Sequence, residues 1–247
     1  IGPTQTPKAM QEAVSSMLNI PQENISIKMT RMGGGFGRRL YTHFGLEAAA
    51  ISKKVGAPIK MVYTREDDMT QGTYRPAYRS VYKAGLDKNN NLIAFTVKGV
   101  GLPSGPVYPD RFPAGTVDNY KAESKRSYTN ISTGAWTAPR SHFTAGAEQS
   151  FIDEVAEAAE KDPIDFRLEL FKKAINNPVG KKYDYDAERY AGVLELVKEK
   201  SDWGKNSSTV HKGVAAYFCH NTYVAVVMEV ILKNNQPNLK KVWCAVD

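Results

Sequence analysis

Apolar residues recur at helical spacing near the start of the chain, with Met10, Val14, Met17 and Leu18 on one face. Thr6 suits the N-cap and Pro7 the first helical position, while Asn19 and Pro21 end the element. Ile25, Ile27 and Met29 then alternate with Ser26, Lys28 and Thr30, which predicts a half-buried strand. The glycine-dense stretch Arg31-Met32-Gly33-Gly34-Gly35-Phe36-Gly37-Arg38-Arg39 follows. A second helix is predicted from about Phe44 to Val55, closed by Gly56 with Pro58 beyond. Ile59 to Tyr63 reads as another strand, so the order is helix, strand, glycine loop, helix, strand.

The middle of the chain changes period. Arg79 to Leu86 and Leu92 to Val100 read as strands around a Lys88-Asn89-Asn90-Asn91 turn. Residues 101–120 are rich in proline and glycine and predict a long irregular excursion, with Ser127 to Ser132 extended again. Gly134-Ala135-Trp136-Thr137-Ala138-Pro139 is a second punctuated loop, leading into a helix with Phe151, Ile152, Val155 and Ala159 on one face. Asp162 caps a further helix that starts at Pro163 and carries Ile164, Leu168 and Phe171 as its stripe. Tyr190 to Val197 predicts another helix, and Gly213–Cys219, Tyr223–Leu232 and Leu239–Val246 predict three closing strands. This mixture predicts an α+β fold of mixed sheets flanked by helices.

Composition narrows the class. The chain has 247 residues, 42% hydrophobic and 24% charged, which excludes collagen, a coiled coil and wholesale disorder. Mean hydropathy is −0.43. The uncharged run from Val214 to Met228 contains His220 and Asn221, and is too short and too polar to span a bilayer. The first twenty residues show neither a basic start nor a continuous apolar stretch, so no signal peptide is expected. The chain opens at Ile1 without a Met and stops at Asp247 inside an apolar strand pattern; we read it as a piece of a longer protein.

The formal net charge of +7 and pI near 9.2 favour anionic partners in general. Apart from Arg38-Arg39 and Lys181-Lys182, however, the basic residues are scattered. No basic stripe with interleaved aromatics supports nucleic-acid binding. Cys219 and Cys244 lack CxxC spacing and offer neither a metal cluster nor a disulfide framework.

The glycine loop is the strongest local signal of chemistry. Its glycines permit close backbone approach, and consecutive amides can form an anion-binding concavity beside Arg38 and Arg39. It is not a Walker A loop, because no Lys-Ser/Thr follows, and GxGxxG spacing fails at Arg38. By itself the loop fits a tight turn, or a non-catalytic anion- or nucleotide-binding module.

The set of landmarks goes further. Thr4-Gln5-Thr6-Pro7, the glycine loop, Pro58, Arg65-Glu66-Asp67-Asp68-Met69, Glu154-Val155-Ala156 and Asp162-Pro163 resemble the molybdenum-binding subunit of the xanthine dehydrogenase/aldehyde oxidase family. So do Gly213-Val214-Ala215, Glu229-Val230 and Ala245-Val246-Asp247, and the Gly-Phe-Gly-Arg-Arg form is most similar to isoquinoline 1-oxidoreductase β subunits.

The resemblance implies hydroxylation of an N-heteroaromatic or an aldehyde, with water as oxygen source, on a molybdopterin cofactor. It implies an N-heteroaromatic or aldehyde partner, an iron–sulfur subunit in the parent complex, and no nucleic acid. Residues 1–204 would be the first part of the molybdopterin-binding region, 205–212 a linker, and 213–247 the start of a truncated β-rich segment. Gln5 matches the glutamine that hydrogen-bonds an oxygen of the molybdenum centre, and Gly34, Gly35, Phe36, Gly37 and Arg38 match the cofactor loop. Leu40, Trp136 and Thr137 would border the substrate.

Two departures bear on specificity. Arg39-Leu40 stands where purine enzymes of the family have Lys-Glu, and Thr137 where many members have an arginine, unless Arg140 substitutes. The family's catalytic base is a glutamate in a late Gly-Glu motif that does not occur before Asp247. Glu148, Glu154 and Glu157 read as the solvated face of their helix. The sequence therefore predicts no catalytic residue and no metal ligand within this piece, which by itself is expected to be inactive and without cofactor.

Overall fold

The computed structural model of the chain describes residues 1–102, 104–138, 144–205 and 209–247. The chain divides into two compact units, one formed by residues 1–77 and 127–139 and the other by 78–126 and 140–247. Pro139, Arg140 and part of the expected linker, 206–208, lie outside the described residues.

The first unit is helical with extended connections. Helix α1, Pro7–Leu18, buries Met10 and Val14 and ends at Asn19 in the left-handed conformation. Thr6 occupies the N-cap position without capping through its side chain; its hydroxyl donates instead to the Leu40 carbonyl at 2.9 Å. Helix α2, His43–Val55, ends at Gly56 with φ 72°, a backbone that costs glycine nothing. Helix α3, Arg65–Thr70, was not anticipated. It starts with a capping box in which Thr64 and Asp67 satisfy each other's backbone amides.

The two strands expected here are corrected by the structure. Ile25–Met29 and Ile59–Tyr63 are extended, but the first makes only an isolated parallel bridge, Met29 to Gly2, and the second pairs with nothing among the described residues. Alternation holds at Ile25, Ile27, Ile59, Met61 and Tyr63, which are half-buried, but Met29, expected on the same face as Ile25 and Ile27, is 57% exposed. A strand needs a neighbour as well as an alternating face.

The second unit holds two three-stranded sheets. Strands β1, Tyr78–Leu86, and β2, Leu92–Gly101, form an antiparallel hairpin. Its turn is fixed by Asp87, whose Oδ1 accepts from the amides of Asn89 and Asn91 at 2.8 and 2.9 Å, with Asn90 at φ 60°. Strand β3, Asn119–Arg126, pairs parallel to β2. The sequence places this extended segment at 127–132 instead. The actual strand, Asn-Tyr-Lys-Ala-Glu-Ser-Lys-Arg, is a largely exposed edge with too few apolar positions to show a period.

Helices α4, Ala145–Ala158, and α5, Pro163–Asn176, follow; Asp162 caps α5 by accepting from Ile164 and Asp165 amides at 2.9 and 3.1 Å. Helix α6, Ala187–Lys200, leads to the antiparallel meander of β4, His211–Cys219, β5, Thr222–Lys233, and β6, Gln236–Val246. One core joins Leu92, Phe95 and Val97 of β2 with the inner faces of α4 to α6 and the second sheet. Phe171 and Tyr190 pack within it with tilted rings 4.5 Å apart, and each such buried side chain contributes about 1.5–3 kcal/mol. The Tyr190 hydroxyl donates to the Ala216 carbonyl at 2.8 Å, joining α6 to β4.

Glu148 is a second correction. Glu154 and Glu157 are solvated as expected, but Glu148 is buried, one turn into α4. Burial pushes its carboxyl up to about 8, against smaller lowering effects from its Gln149 hydrogen bond and from Arg167 and Arg111. Arg167 does not neutralise it, because its donors go to Gln149 Oε1 at 3.2 Å, the Pro163 carbonyl at 2.8 Å and Asp153 at 2.7 Å.

Candidate functional site

All nine residues singled out by sequence as cofactor or substrate contacts belong to the first unit. The segment before α1 lies against the glycine loop. The amide of Gln5 donates to the Arg39 carbonyl at 2.9 Å, and Gln5 Oε1 accepts from the Gly37 amide at 3.2 Å. Because Oε1 is the acceptor, Nε2 is the end of this exposed side chain left to donate outward, and it does so without a net charge.

The three loop glycines differ in what holds them to glycine: Gly34 and Gly37 lie at positive φ, whereas Gly35 is limited only by a movable side chain. A Cβ on Gly35 would strike the Gln5 side chain, and one on Gly34, at φ 141°, would strike the Phe36 ring. A Cβ on Gly37, at φ 85°, would strike the Ala135 carbonyl. The sequence reading reserved this clearance for a ligand; at Gly37 the second loop fills it. Gly33, in contrast, faces open space. The amides of Gly33, Gly34, Gly35 and Phe36 have no backbone or side-chain acceptor among the described residues.

Phe36 sits at φ 49° and is 65% exposed, so it is no core aromatic. Its carbonyl accepts from the Thr137 amide at 3.0 Å, which ties the glycine loop to the second loop. Trp136 is half-buried and spends its indole N–H on the Thr73 carbonyl at 3.1 Å, leaving the ring as an apolar surface. The Tyr41 hydroxyl accepts from the Ala135 amide, anchoring the same loop from below. Leu40 is 36% exposed.

Arg38 is committed within the protein. It donates to His43 Nε2 at 2.8 Å and to the Gln71 carbonyl at 3.2 Å, and pairs with Asp68 at 3.5 Å. Burial, then the Arg38 charge, hold His43 below its usual range, which keeps Nε2 a neutral acceptor. Arg39 lies over the Phe44 ring at 5.3 Å.

Sequence reasoning missed Arg75, whose guanidinium donates to the Thr137 carbonyl at 2.9 Å. No motif marks it; only the fold brings it 62 residues back to the second loop. The bond of the Thr6 hydroxyl to Leu40, 34 residues away, was missed for the same reason, and His43, five residues from Arg38, because no motif marks it. Among the described residues no group of His, Cys, Asp or Glu could hold a metal ion, and no helix is long and apolar enough to cross a membrane.

Comparison with known proteins gives a consistent answer. The family model described as molybdopterin cofactor-binding domain matches residues 1–171. The chain is 28% identical to isoquinoline 1-oxidoreductase subunit beta of Brevundimonas diminuta, over 99% of this chain and 32% of that protein. It is 25% identical to the molybdenum-binding subunit of an aldehyde oxidoreductase from Escherichia coli, over 90% of this chain and 32% of that protein. The chain thus spans about a third of the length of such relatives. Its fold resembles quinoline 2-oxidoreductase from Pseudomonas putida 86, with TM-score 0.63 and 18% identity over 92% of this chain and 31% of that one. It also resembles a Cu,Mo carbon monoxide dehydrogenase, with TM-score 0.62 and 17% identity over 90% of this chain and 32% of that one. Nothing in these comparisons favours a non-catalytic nucleotide-binding module.

Proposed function

The chain belongs to the molybdopterin cofactor-binding domain family, and from that premise we propose that it is the cofactor-binding part of a molybdenum hydroxylase. The parent protein oxidises an N-heteroaromatic or an aldehyde with water as the oxygen source, working with an iron–sulfur subunit. The observation that carries this reading is the pairing of Gln5 with Gly37. It sets one neutral amide donor beside four consecutive loop amides that lack acceptors among the described residues.

Those donors fit an oxygen-rich cofactor. An uncharged NH2 can hydrogen-bond an oxygen without altering the charge of the centre, and successive amides suit phosphate or pterin oxygens. Gln5 and the backbone of Gly33 to Phe36 would hold the group, which supplies two-electron redox chemistry when bound. Phe36, Leu40 and Trp136 would border the substrate with apolar surface and limit water. Arg38, engaged with His43, Asp68 and Gln71, acts on the loop's conformation from behind.

Metal and pterin analysis of the purified parent protein tests the reading. About one molybdenum and one pterin per polypeptide are expected; a parent purified with neither, from cells supplied with molybdate, would overturn it.

A further inference from the structure

Arg38 closes the glycine loop with a cation whose side chain is only 13% exposed. Its seat is bounded on one side by main chain, since a Cβ on Gly72 would strike the guanidinium. Three acceptors from different segments fill the seat: His43 Nε2 at 2.8 Å, the Gln71 carbonyl at 3.2 Å and Asp68 at 3.5 Å. The shortest of these contacts is to the imidazole. The closest hold on the arginine therefore comes from a group that can take up a proton.

That bond fixes where the protons are. A guanidinium has N–H donors and no acceptor, so His43 Nε2 must offer its lone pair and the ring must be neutral. An imidazolium carries donors on both nitrogens and would face Arg38 as a like charge. His43 is also the first residue of α2, where the helix dipole disfavours a cation. Among the described residues, the charges acting on the ring are Arg38 and Arg39 from the loop and Glu47 from its own helix. Glu47 accepts from the Tyr63 hydroxyl. Burial and both arginines oppose protonation, and Glu47 favours it.

We propose that His43 is the positioning residue of the glycine loop: neutral, it holds Arg38 in its seat, and protonated, it lets the loop loosen. The effect reaches Gln5 through the residues on either side of Arg38. The Gly37 amide donates to Gln5 Oε1 at 3.2 Å, and the Arg39 carbonyl accepts from the Gln5 amide at 2.9 Å. Because His43 lies below its usual range, the loosening belongs below about pH 6.5, the ordinary imidazole value. That it bears on the cofactor rests on the function proposed above; the release of Arg38 does not.

Hydrogen exchange followed by mass spectrometry on the full-length parent tests it. Two variants accompany the wild type: His43→Gln, whose Oε1 accepts from Arg38 without titrating, and His43→Leu, which has no acceptor. Corrected for the intrinsic effect of pH, the amides of Gln5, Gly37, Arg39 and Leu40 should exchange at least about threefold faster at pH 5.0 than at pH 7.5 in the wild type, with α1 and α2 protected at both. His43→Gln should show no such rise, and His43→Leu should exchange fast at both values. A wild type without the rise, an equal rise in His43→Gln, or a His43→Leu loop as slow as the wild type at pH 7.5 would overturn the proposal. Molybdenum kept through gel filtration at pH 5.0 is the second readout, expected to fall in the wild type and to hold in His43→Gln; full retention by the wild type would overturn the link to the cofactor. A parent without molybdenum at either pH would overturn the function proposed above, while the exchange data would still decide the role of His43.

Discussion

The Gln5 amide oxygen accepts from the Gly37 N–H at 3.2 Å, so one side chain fixes the glycine loop while its NH2 has no acceptor among the described residues. The two tasks separate by mutation. Gln5→Glu retains an acceptor for Gly37 but loses the donor and adds a charge. In the parent protein it should shift the melting temperature by no more than about 2 °C and lower kcat about 10- to 100-fold, the size of one lost catalytic hydrogen-bond donor. Gln5→Ala should lose both stability and activity. Unchanged kcat in Gln5→Glu would remove Gln5 from the site.

Gly37 is constrained by protein. At φ 85° a Cβ meets the Ala135 carbonyl, so Gly37→Ala must strain the backbone and displace the second loop. The left-handed backbone alone costs about 1–2 kcal/mol, and the clash adds to it. Gly33→Ala meets nothing within 4 Å and should cost below about 1 kcal/mol. Urea unfolding of the two variants checks the contrast. Equal destabilisation would mean that the loops do not pack as described.

Glu148 makes the second unit less stable as pH rises from acid through neutral. Its carboxyl titrates at about 8 when folded and near 4.3 when unfolded. Between those values the folded state holds the extra proton, so the contribution is complete below about pH 4 and is lost as pH rises to about 8. Glu148→Gln removes the titration while keeping size and hydrogen bonding. The variant should gain stability over the wild type from pH 5 to pH 8, by up to about 1 kcal/mol per pH unit, with no further gain above pH 9. Parallel denaturation curves would show that Glu148 is solvated.

Legibility of the sequence followed the range of the forces involved. Helix α5 was readable because Asp162 and Pro163 act on their own neighbours, and the hairpin of β1 and β2 because Asp87 to Asn91 closes it locally. Glu148 was misread because a helical wheel cannot tell which polar position points at a tyrosine-rich core. The Ile59–Tyr63 strand was misread because alternation reports a half-buried face and says nothing of a partner. In the site, the residue types at Gln5 and Gly34 to Gly37 were legible, but their reasons were not. The contacts among Gln5, Phe36, Ala135 and Thr137 join segments far apart in sequence. Arg38 looked available as part of a basic pair, yet His43, Asp68 and Gln71 already surround it.

The substrate preference predicted for the parent protein rests on how the polar groups beside the loops are used. Trp136 donates its N–H to Thr73, the Thr137 amide goes to Phe36, and the Thr137 carbonyl accepts from Arg75. The Leu40 carbonyl takes the Thr6 hydroxyl, so Leu40 presents only its side chain. What remains is the exposed ring of Phe36, the half-buried indole, a leucine and the single hydroxyl of exposed Thr137. Such a surface gains from apolar ring area and cannot replace the hydration of purine oxygens and ring N–H groups. A site built to hydrogen-bond its substrate discriminates by 10⁴ or more, whereas an apolar one gives about 10- to 200-fold per methylene-sized difference. The parent should therefore show a kcat/KM for isoquinoline-like heterocycles or aromatic aldehydes at least about 10-fold above that for xanthine. Steady-state kinetics on the complete enzyme decides the matter. A preference for xanthine would require a polar contact from elsewhere, and Arg75→Met would then be the first variant to test, because that guanidinium already reaches the Thr137 carbonyl at 2.9 Å.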